Sequence, residues 1–218
     1  MSPKQAPSAE RTTTTAIRRA RRQELIDATI TSIAKRGFAA TTLSTVTQEA
    51  GLSHGVVNFH FDSKEALFVE TLGHLAREHY AQWSGAVAKA GECPAAKLEA
   101  LVRADFDPSV CSRKKLSVWF AFWGQAKHRP IYLETHDEHD RERGALIGEL
   151  CATIIADGDY PQDDAATVGR NIEAVIDGLW LQMLLYPKLL SRPTALASAL
   201  AFLATLFPKH FPRPSEPA

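Results

Sequence analysis

A chain of 218 residues with zero formal net charge at pH 7, 45% hydrophobic and 23% charged, has the composition of a soluble globular protein. It contains no apolar stretch suited to a transmembrane helix or a secretory signal, so we expect a cytoplasmic protein without a membrane partner. Its three cysteines, Cys93, Cys111 and Cys151, are too few and too far apart for a disulfide framework or a zinc site.

The charge is unevenly divided along the chain. Residues 1–64 carry nine Lys and Arg against five Asp and Glu, whereas the remaining residues carry 16 against 20. A basic segment followed by a mildly acidic one is typical of a nucleic-acid-binding head attached to a body that does not bind. A chance distribution explains so small an excess equally well, so charge alone does not decide the class of protein.

The N-terminal part of the chain predicts a tail followed by a helix. Residues 1–16 are mostly Pro, Ser, Thr and Ala, and we expect them to be disordered. From Ile17 onward apolar residues recur three and four positions apart, for example at Ile26 and Ile30, which is the spacing of an amphipathic helix. Gly37 follows two basic residues and marks the end of that helix.

Two short helices are predicted next, and then the start of a longer one. Thr42 is placed to cap a second helix that Gly51 ends, and Ser53 to cap a third helix that runs to about His60. Residues 62–63 open a long fourth helix. Two short helices joined by a tight glycine turn form a helix-turn-helix, the second helix of which can enter the major groove of DNA.

Small or polar side chains dominate the outward positions of the third helix. An arginine-rich segment, 18–22, precedes the motif, and a lysine stands at the start of the fourth helix. Such groups can approach base edges and phosphates, although an arginine run is also common on a solvated helix face. The predicted DNA-binding residues are Thr42, Ser44, Ser53, His54, Gly55, Val56, Asn58, Phe59, His60 and Lys64.

Beyond the fourth helix every segment is predicted to be helical. Prolines stand near the starts of successive segments, where the missing N–H costs nothing, and no alternating strand pattern occurs. We therefore predict an all-α protein of about nine helices. It divides into a helix-turn-helix domain at 17–62, a helical body at 63–211 and a flexible C-terminus at 212–218.

The body contains a dense aromatic cluster, Trp-Phe-Ala-Phe-Trp at 119–123. Farther on, Asp177 and Trp180 lie one turn apart on an otherwise apolar helix. Aromatic faces and a carboxylate are the components of a site for a quaternary ammonium group, in which each cation–π contact contributes roughly 0.5–2 kcal/mol. The alternative is an aromatic core in which Asp177 pairs with Arg143 or Arg170.

The segment from about Leu25 to Leu72 resembles the N-terminal domain of the TetR family of transcriptional repressors. The matching residues are Gly37, Phe38, Thr41, Thr42, Ala50, Gly51, Leu52, Ser53, Gly55, His60, Phe61, Ser63, Lys64, Glu65, Ala66 and Leu67. The resemblance implies a three-helix DNA-binding head, with its third helix in the major groove, and a larger helical body that dimerises and holds a ligand. His60 and Lys64 keep positions that contact phosphate in the family, whereas Asn58 stands where the family usually has tyrosine.

The body is similar to the C-terminal domain of the BetI-type branch of that family over most of residues 95–208. The similar segments are Phe106-Asp107, 119–123 and 174–181. This branch represses genes for converting choline to glycine betaine and is released by choline. The resemblance therefore implies a quaternary amine as inducer, with a fatty acid, a drug or an aromatic metabolite as the alternative. The predicted ligand-binding residues are Phe106, Trp119, Phe122, Trp123, Tyr132, Asp177 and Trp180.

The last two predicted helices, about 162–186 and 193–208, each carry an apolar face. In this family two such helices from each subunit form the dimer interface, and burial within one subunit is the alternative. The predicted interface residues are Leu181, Leu184, Leu196, Leu200, Leu203 and Phe207. Two heads held about one helical turn apart read a pseudopalindromic operator.

No residue pattern supports an enzyme, a cofactor or a metal site. His136 and His139 are capable of binding a metal, but nothing else converges on them, and no phosphate-binding loop or nucleophile motif occurs. The predicted function is a ligand-responsive repressor that binds double-stranded DNA as a homodimer and is released by a small-molecule inducer. A helical protein–protein adaptor without DNA binding is the alternative from another class.

Overall fold

The computed structural model describes residues 8–161 and 164–211, and every regular element within these ranges is a helix. The ten helices are α1 (Ser8–Arg36), α2 (Leu43–Ala50), α3 (His54–His60), α4 (Lys64–Lys89), α5 (Pro94–Asp105), α6 (Arg113–Ala126), α7 (Ile131–Glu134), α8 (Asp137–Gly158), α9 (Ala165–Leu185) and α10 (Arg192–Leu206). The predicted all-α class is confirmed. One more helix is present than expected because the short α7 stands between α6 and α8. The segment 212–218, predicted to be flexible, lies outside the described residues.

The predicted disordered tail, 1–16, is wrong from Ser8 onward, where α1 begins. Between Pro7 and Gly37 the sequence has neither glycine nor proline, so nothing interrupts the helical hydrogen bonds. Gly37 then ends the helix in the left-handed region, with a φ of 82°.

The chain divides into two compact units, residues 1–71 and 72–218. The boundary predicted at residue 62 lies nine residues before the observed one, because the first turns of α4 contribute to the core of the first unit. Leu67 and Phe68 are buried there, and the ring of Phe68 meets that of Phe38 edge-on, with centroids 5.0 Å apart.

Helices α1 to α3 pack around apolar side chains at helical spacing. Ile26, Ile30, Val46, Val57 and Phe61 are each at most 4% exposed. Because these side chains lie on one stripe of each helix, their burial holds the three helices together and leaves the opposite faces accessible.

Local hydrogen bonds shape the turn between α2 and α3. Thr42 and Thr45 form a capping box at the start of α2, in which each side-chain oxygen accepts from the backbone N–H of the other residue. Gly51 ends α2 in the left-handed conformation, with a φ of 65°, and its N–H donates to carbonyls of the last turn. Ser53 precedes α3 in an extended conformation, but its side chain makes no capping hydrogen bond.

In the second unit α8 and α9 lie side by side, α5 packs against α8 and α10, and α6 and α10 pack against α9. Helices α8 and α9 approach closely at Gly169, where an added Cβ would lie 3.2 Å from Cγ2 of Ile147. Asp164 caps α9 by accepting from the backbone N–H groups of Ala166 and Thr167. Among the helices of the described ranges, none combines the length and the apolar character needed to cross a bilayer.

Replacing Gly51 with alanine forces a Cβ-bearing residue into the left-handed region, so we expect the free energy of unfolding to fall by about 1–2 kcal/mol. The matched control is Gly55→Ala in α3, where φ is not positive and the new Cβ would meet only Oγ of Ser53, at 3.9 Å. That control should be neutral or stabilising, since alanine is the better helix former. Urea unfolding followed by circular dichroism measures both, and equal losses for the two variants would contradict the account of the turn.

Candidate functional site

Helix α3 presents one face to solvent. His54, Gly55, Asn58 and Phe59 follow the spacing of a single helix face and are all exposed, whereas Val57 is completely buried. These four exposed residues are called the outer α3 face below. The helix is anchored through its apolar side, so the outer α3 face is available to a partner.

The other predicted DNA-binding residues are at least partly accessible. Thr42, Ser44 and Ser53 are exposed, and Val56, His60 and Lys64 are half-buried. Thr42 also caps α2, because its side-chain oxygen accepts from the N–H of Thr45. The Nζ atom of Lys64 lies 4.9 Å from the centre of the Phe68 ring.

The arginines of the 18–22 segment have different environments. The guanidinium of Arg22 lies 4.4 Å from the centre of the Phe61 ring and binds Glu70 at 2.9 Å, so Arg22 is used within the fold. Arg18 is exposed, and its guanidinium lies 5.5 Å from the centre of the Phe59 ring. The structure therefore places Arg18 beside the outer α3 face, a distinction that the sequence did not make.

His60 stands in the last turn of α3. Burial, and then the positive charges of Arg18 and Arg22, lower the pKa of the His60 imidazole from its ordinary value. The lowered pKa favours the neutral imidazole, which can offer one N–H to a phosphate oxygen but no positive charge.

Gly55 is not required by the fold of the first unit. Its φ is not positive, and an added Cβ would meet no atom closer than Oγ of Ser53. Glycine inside a helix is destabilising by roughly 0.5–1 kcal/mol relative to alanine. A residue that is unfavourable within its own unit and lies on an exposed face is suited to the close approach of another molecule.

The second unit contains a pocket of about 270 Å³. It is lined by His79 of α4, Asp105 of α5, Trp119 and Trp123 of α6, Asp140 and Arg143 of α8, and Glu173, Ile176, Asp177 and Trp180 of α9. Four of the predicted ligand-binding residues, Trp119, Trp123, Asp177 and Trp180, are therefore brought together around one cavity.

The prediction is wrong for Phe106, Phe122 and Tyr132, which do not line this pocket. Each is at most 1% exposed, and the rings of Phe122 and Tyr132 pack edge-on with centroids 4.9 Å apart. These side chains belong to the core, because burial of aromatic surface is strongly favourable. Helical spacing groups residues on a face but does not reveal whether that face meets a cavity or a neighbouring helix.

Aromatic rings form one side of the pocket. The centroid of the His79 ring lies 6.4 Å from that of Trp119 and 5.8 Å from that of Trp180. Trp123 lies 6.1 Å from Trp119, ring to ring. The Nε1–H of Trp180 donates to the carbonyl oxygen of Asp105 at 3.0 Å, which fixes the orientation of that indole.

Arg143 is buried beside this aromatic wall and binds two carboxylates. Its Nη2 lies 2.5 Å from Oδ2 of Asp105, and its Nη1 lies 2.6 Å from Oε1 of Glu173. Nε2 of His79 lies 2.7 Å from the other oxygen of Asp105, which is completely buried. Burial by itself would raise the pKa of Asp105, but Arg143 and His79 outweigh it and hold that pKa below its ordinary value.

Asp177 differs from the other carboxylates of the pocket. Within the described ranges it has no hydrogen-bonding partner, and although it lines the cavity it is an exposed residue. The protein around it nevertheless desolvates the carboxylate and raises its pKa to about 6. Arg143 opposes this shift, whereas Asp105 and Glu173 add to it by repulsion. The aromatic wall therefore faces a carboxylate that has no cation of its own.

The pocket as a whole is electronegative. Its lining includes four carboxylates, and Arg143 is the only Lys or Arg among the lining residues. Asp140 is paired with His136, with Oδ2 and Nδ1 2.5 Å apart. A small organic cation matches both the charge and the aromatic wall of this site.

Sequence reasoning missed Asp105 and considered Arg143 only as a possible partner of Asp177, although the sequence contained a signal for the pair of Asp105 and Arg143. Asp105 follows the buried Leu98 and Leu101 at helical spacing, and Arg143 precedes the buried Ile147 by one turn. A charged residue on an apolar stripe implies a buried partner of opposite charge. Two such stripes, one acidic and one basic, would have indicated the pair.

The predicted dimer residues are divided between core and surface. Leu203 and Phe207 are completely buried in the core of their own chain, so the prediction that they form a dimer surface is wrong. Leu181 is exposed, and Leu184, Leu196 and Leu200 are half-buried. Leu185, Tyr186 and Leu189 are also exposed, in the last turn of α9 and just after it.

The chain belongs to the TetR family of bacterial regulatory proteins, whose family model matches residues 25–71. A second model, described as the C-terminal domain of BetI-type transcriptional repressors, matches residues 94–208. The protein is therefore a transcriptional regulator with a BetI-type C-terminal domain, and not an enzyme. The predicted family and branch are both confirmed.

Curated relatives agree with this assignment, and solved structures share the fold. The chain is 36% identical to the HTH-type transcriptional regulator BetI of Burkholderia thailandensis over 166 residues, which cover 76% of this chain and 83% of the relative. A transcriptional regulator from Pseudomonas aeruginosa PAO1 superposes with a TM-score of 0.75 at 26% identity, covering 88% of this chain and 94% of that one. A regulator from Saccharomonospora viridis in complex with choline has a TM-score of 0.73 at 21% identity, covering 84% and 94%.

Replacing Arg143 with methionine leaves the carboxylate of Asp105 buried without its cation, so we expect the free energy of unfolding to fall by about 3–5 kcal/mol. The matched control is Arg170→Met, since Arg170 and Asp164 form a longer pair, at 3.9 Å, whose side chains are mostly exposed. The control should change stability by about 0–1 kcal/mol. Urea unfolding distinguishes the two, and an equally small effect of both changes would sink the assigned role of Arg143.

Proposed function

We propose that the protein is a repressor that binds a pseudopalindromic operator as a homodimer and is released by a small quaternary ammonium compound. The observation that carries the proposal is the combination of two sites in one TetR-family chain. A helix-turn-helix offers an exposed face on α3, and an aromatic pocket in the second unit holds an unpaired carboxylate, Asp177. The protein would bind the chromosome in the cytoplasm.

The outer α3 face supports the DNA-binding half of the proposal. An α-helix that enters the major groove needs polar groups that reach base edges and no bulk where backbones approach closely. Asn58 and His54 supply such polar groups, and Gly55 removes bulk. Arg18 and Lys64 supply positive charge for phosphates, which positions the helix without reading sequence.

A second copy of the chain is the proposed partner of the exposed apolar residues in the last turn of α9 and just after it. Leu181, Leu185, Tyr186 and Leu189 are 39%, 56%, 53% and 82% exposed. Exposed apolar side chains grouped in one segment favour a protein interface. Dimerisation would place two α3 helices on half-sites about 34–36 Å apart, and so convert two weak contacts into one specific complex.

The charge of the pocket supports a cationic inducer. A trimethylammonium group cannot donate a conventional N–H hydrogen bond, so aromatic faces and a nearby carboxylate are its natural partners. Trp119, Trp123 and Trp180 supply the faces and Asp177 the charge. Choline is the first compound to test, since the Saccharomonospora viridis regulator is in complex with it. A fatty acid would instead bring its carboxylate to a pocket that is already negative.

Release of the operator follows from linkage. If choline lowers the affinity for the operator, the operator must lower the affinity for choline by the same factor. The inducer therefore needs to bind the DNA-bound and the released states of the protein with different affinities. Its affinity for either state alone does not determine how far it releases the operator.

Replacing Gly55 with leucine should weaken binding to the DNA upstream of the protein's own gene by at least about tenfold, because the side chain blocks approach to the groove. The matched control is Gly124→Leu, at an exposed helical glycine of α6 whose added Cβ would meet no atom within 4 Å. Fluorescence anisotropy at several salt concentrations measures the DNA affinity of both variants. A double variant, His60→Ala with Lys64→Ala, should also bind DNA less tightly than the unaltered protein. Absence of salt-dependent binding by the unaltered protein would instead favour the adaptor alternative.

Choline affinity should depend on pH through Asp177, whose pKa is raised to about 6. Because only the ionised carboxylate attracts the cation, affinity should be constant well above that pKa and fall by up to about tenfold per pH unit below it. Calorimetry between about pH 5 and about pH 8 measures this, and choline binding at the pKa should release protons.

Asp177→Asn should weaken choline binding by about tenfold or more and remove the part of the pH dependence that is centred at about pH 6. The matched control is Glu149→Gln, an exposed carboxylate of α8 that does not line the pocket, and it should leave both unchanged. The uncharged carbon analogue 3,3-dimethyl-1-butanol should bind far more weakly than choline. Equal choline affinity of Asp177→Asn and unaltered protein would refute the cation site.

A further inference from the structure

Phe59 is the most exposed large apolar side chain of the first unit within the described residues. It is 70% exposed, although it stands on a helix whose other aromatic and aliphatic neighbours are at least partly covered. Its ring meets the His60 ring edge-on, with centroids 5.1 Å apart, and lies 5.5 Å from the guanidinium of Arg18. A single exposed apolar residue is ordinary on a protein surface, and what sets Phe59 apart is its position.

That position is the C-terminal end of the outer α3 face. Gly55 precedes Phe59 by one helical turn and has no side chain, so nothing on α3 covers the ring from that direction. Arg18 of α1 flanks the ring with a positive charge that is itself exposed. The result is an aromatic side chain standing between an open slot and a cation.

The major groove offers one apolar group, which is the 5-methyl of thymine, and phosphates lie along its edges. We infer that Phe59 reads thymine through this methyl group, while Arg18, placed over the same ring, contacts a phosphate near that base. The inference rests on the proposed DNA binding and names the base that this residue selects. Phe59 would then gain in the complex the burial that it lacks in the free protein.

The test uses DNA selected from a random-sequence pool by the unaltered full-length protein. Each thymine of the selected half-site is replaced in turn by deoxyuridine, which lacks only the methyl group. One replacement per half-site should weaken binding by roughly three- to fivefold, the value of one buried methyl-sized group. With Phe59→Ala that penalty should disappear, and with Phe59→Leu part of it should remain.

Two further variants separate this role from other contributions. Arg18→Ala should weaken binding to thymine and deoxyuridine probes equally and reduce the salt dependence by about one phosphate contact. Asn58→Ala lies on the same face and should keep the deoxyuridine penalty whatever its effect on affinity. Because Phe59 is exposed, Phe59→Ala should retain the melting temperature of the unaltered protein, which is measured alongside.

The possible failures are distinguishable. If the protein selects a sequence but tolerates deoxyuridine at every position, or selects half-sites without thymine, the role of Phe59 is wrong while DNA binding stands. A deoxyuridine penalty that persists in Phe59→Ala also assigns the methyl contact to another residue. If the unaltered protein enriches no sequence at all, the proposed function fails together with the inference.

Discussion

The guanidinium of Arg143 determines the character of the pocket. It is buried between Asp105 of α5 and Glu173 of α9, and Asp105 is bound in turn by His79 of α4. Three helices are thereby tied to α8 through charges that would each be unfavourable to bury alone. Because the carbonyl oxygen of Asp105 also accepts from the indole of Trp180, the same network orients one aromatic face of the site.

This network also leaves one carboxylate of the pocket, that of Asp177, without a cation bound to it. Arg143 satisfies Asp105 and Glu173 directly, but it only partly offsets the desolvation and like-charge repulsion acting on Asp177. A ligand cation would supply the missing charge and, in the same position, meet the tryptophan faces. In the proposed cation site, selectivity would thus come from an imbalance of charge, because aromatic content alone would not distinguish a cation from a neutral apolar compound.

The helix-turn-helix shows the opposite arrangement, in which apolar burial sets the geometry and charge is kept at the surface. Val57 anchors α3 from inside, while Gly55 and Phe59 lie outside, where neither belongs to the core of the first unit. Residues that are unfavourable for folding and grouped on one accessible face are typical of a functional surface. The separation of anchoring and exposed positions allows base preference to change without loss of the fold.

The sequence by itself determined the all-α class, the helix-turn-helix and the family, because caps, glycine turns and helical spacing are local signals. It also predicted that Trp119, Trp123, Asp177 and Trp180 belong to one site, and these four residues line one pocket. Only the tertiary structure decided that Phe106, Phe122 and Tyr132, and likewise Leu203 and Phe207, are core, and that Asp105 and Arg143 belong to the pocket. The physical reason is that which helix face meets a cavity, a neighbouring helix or solvent depends on packing between segments far apart in the chain, and no local pattern contains that information.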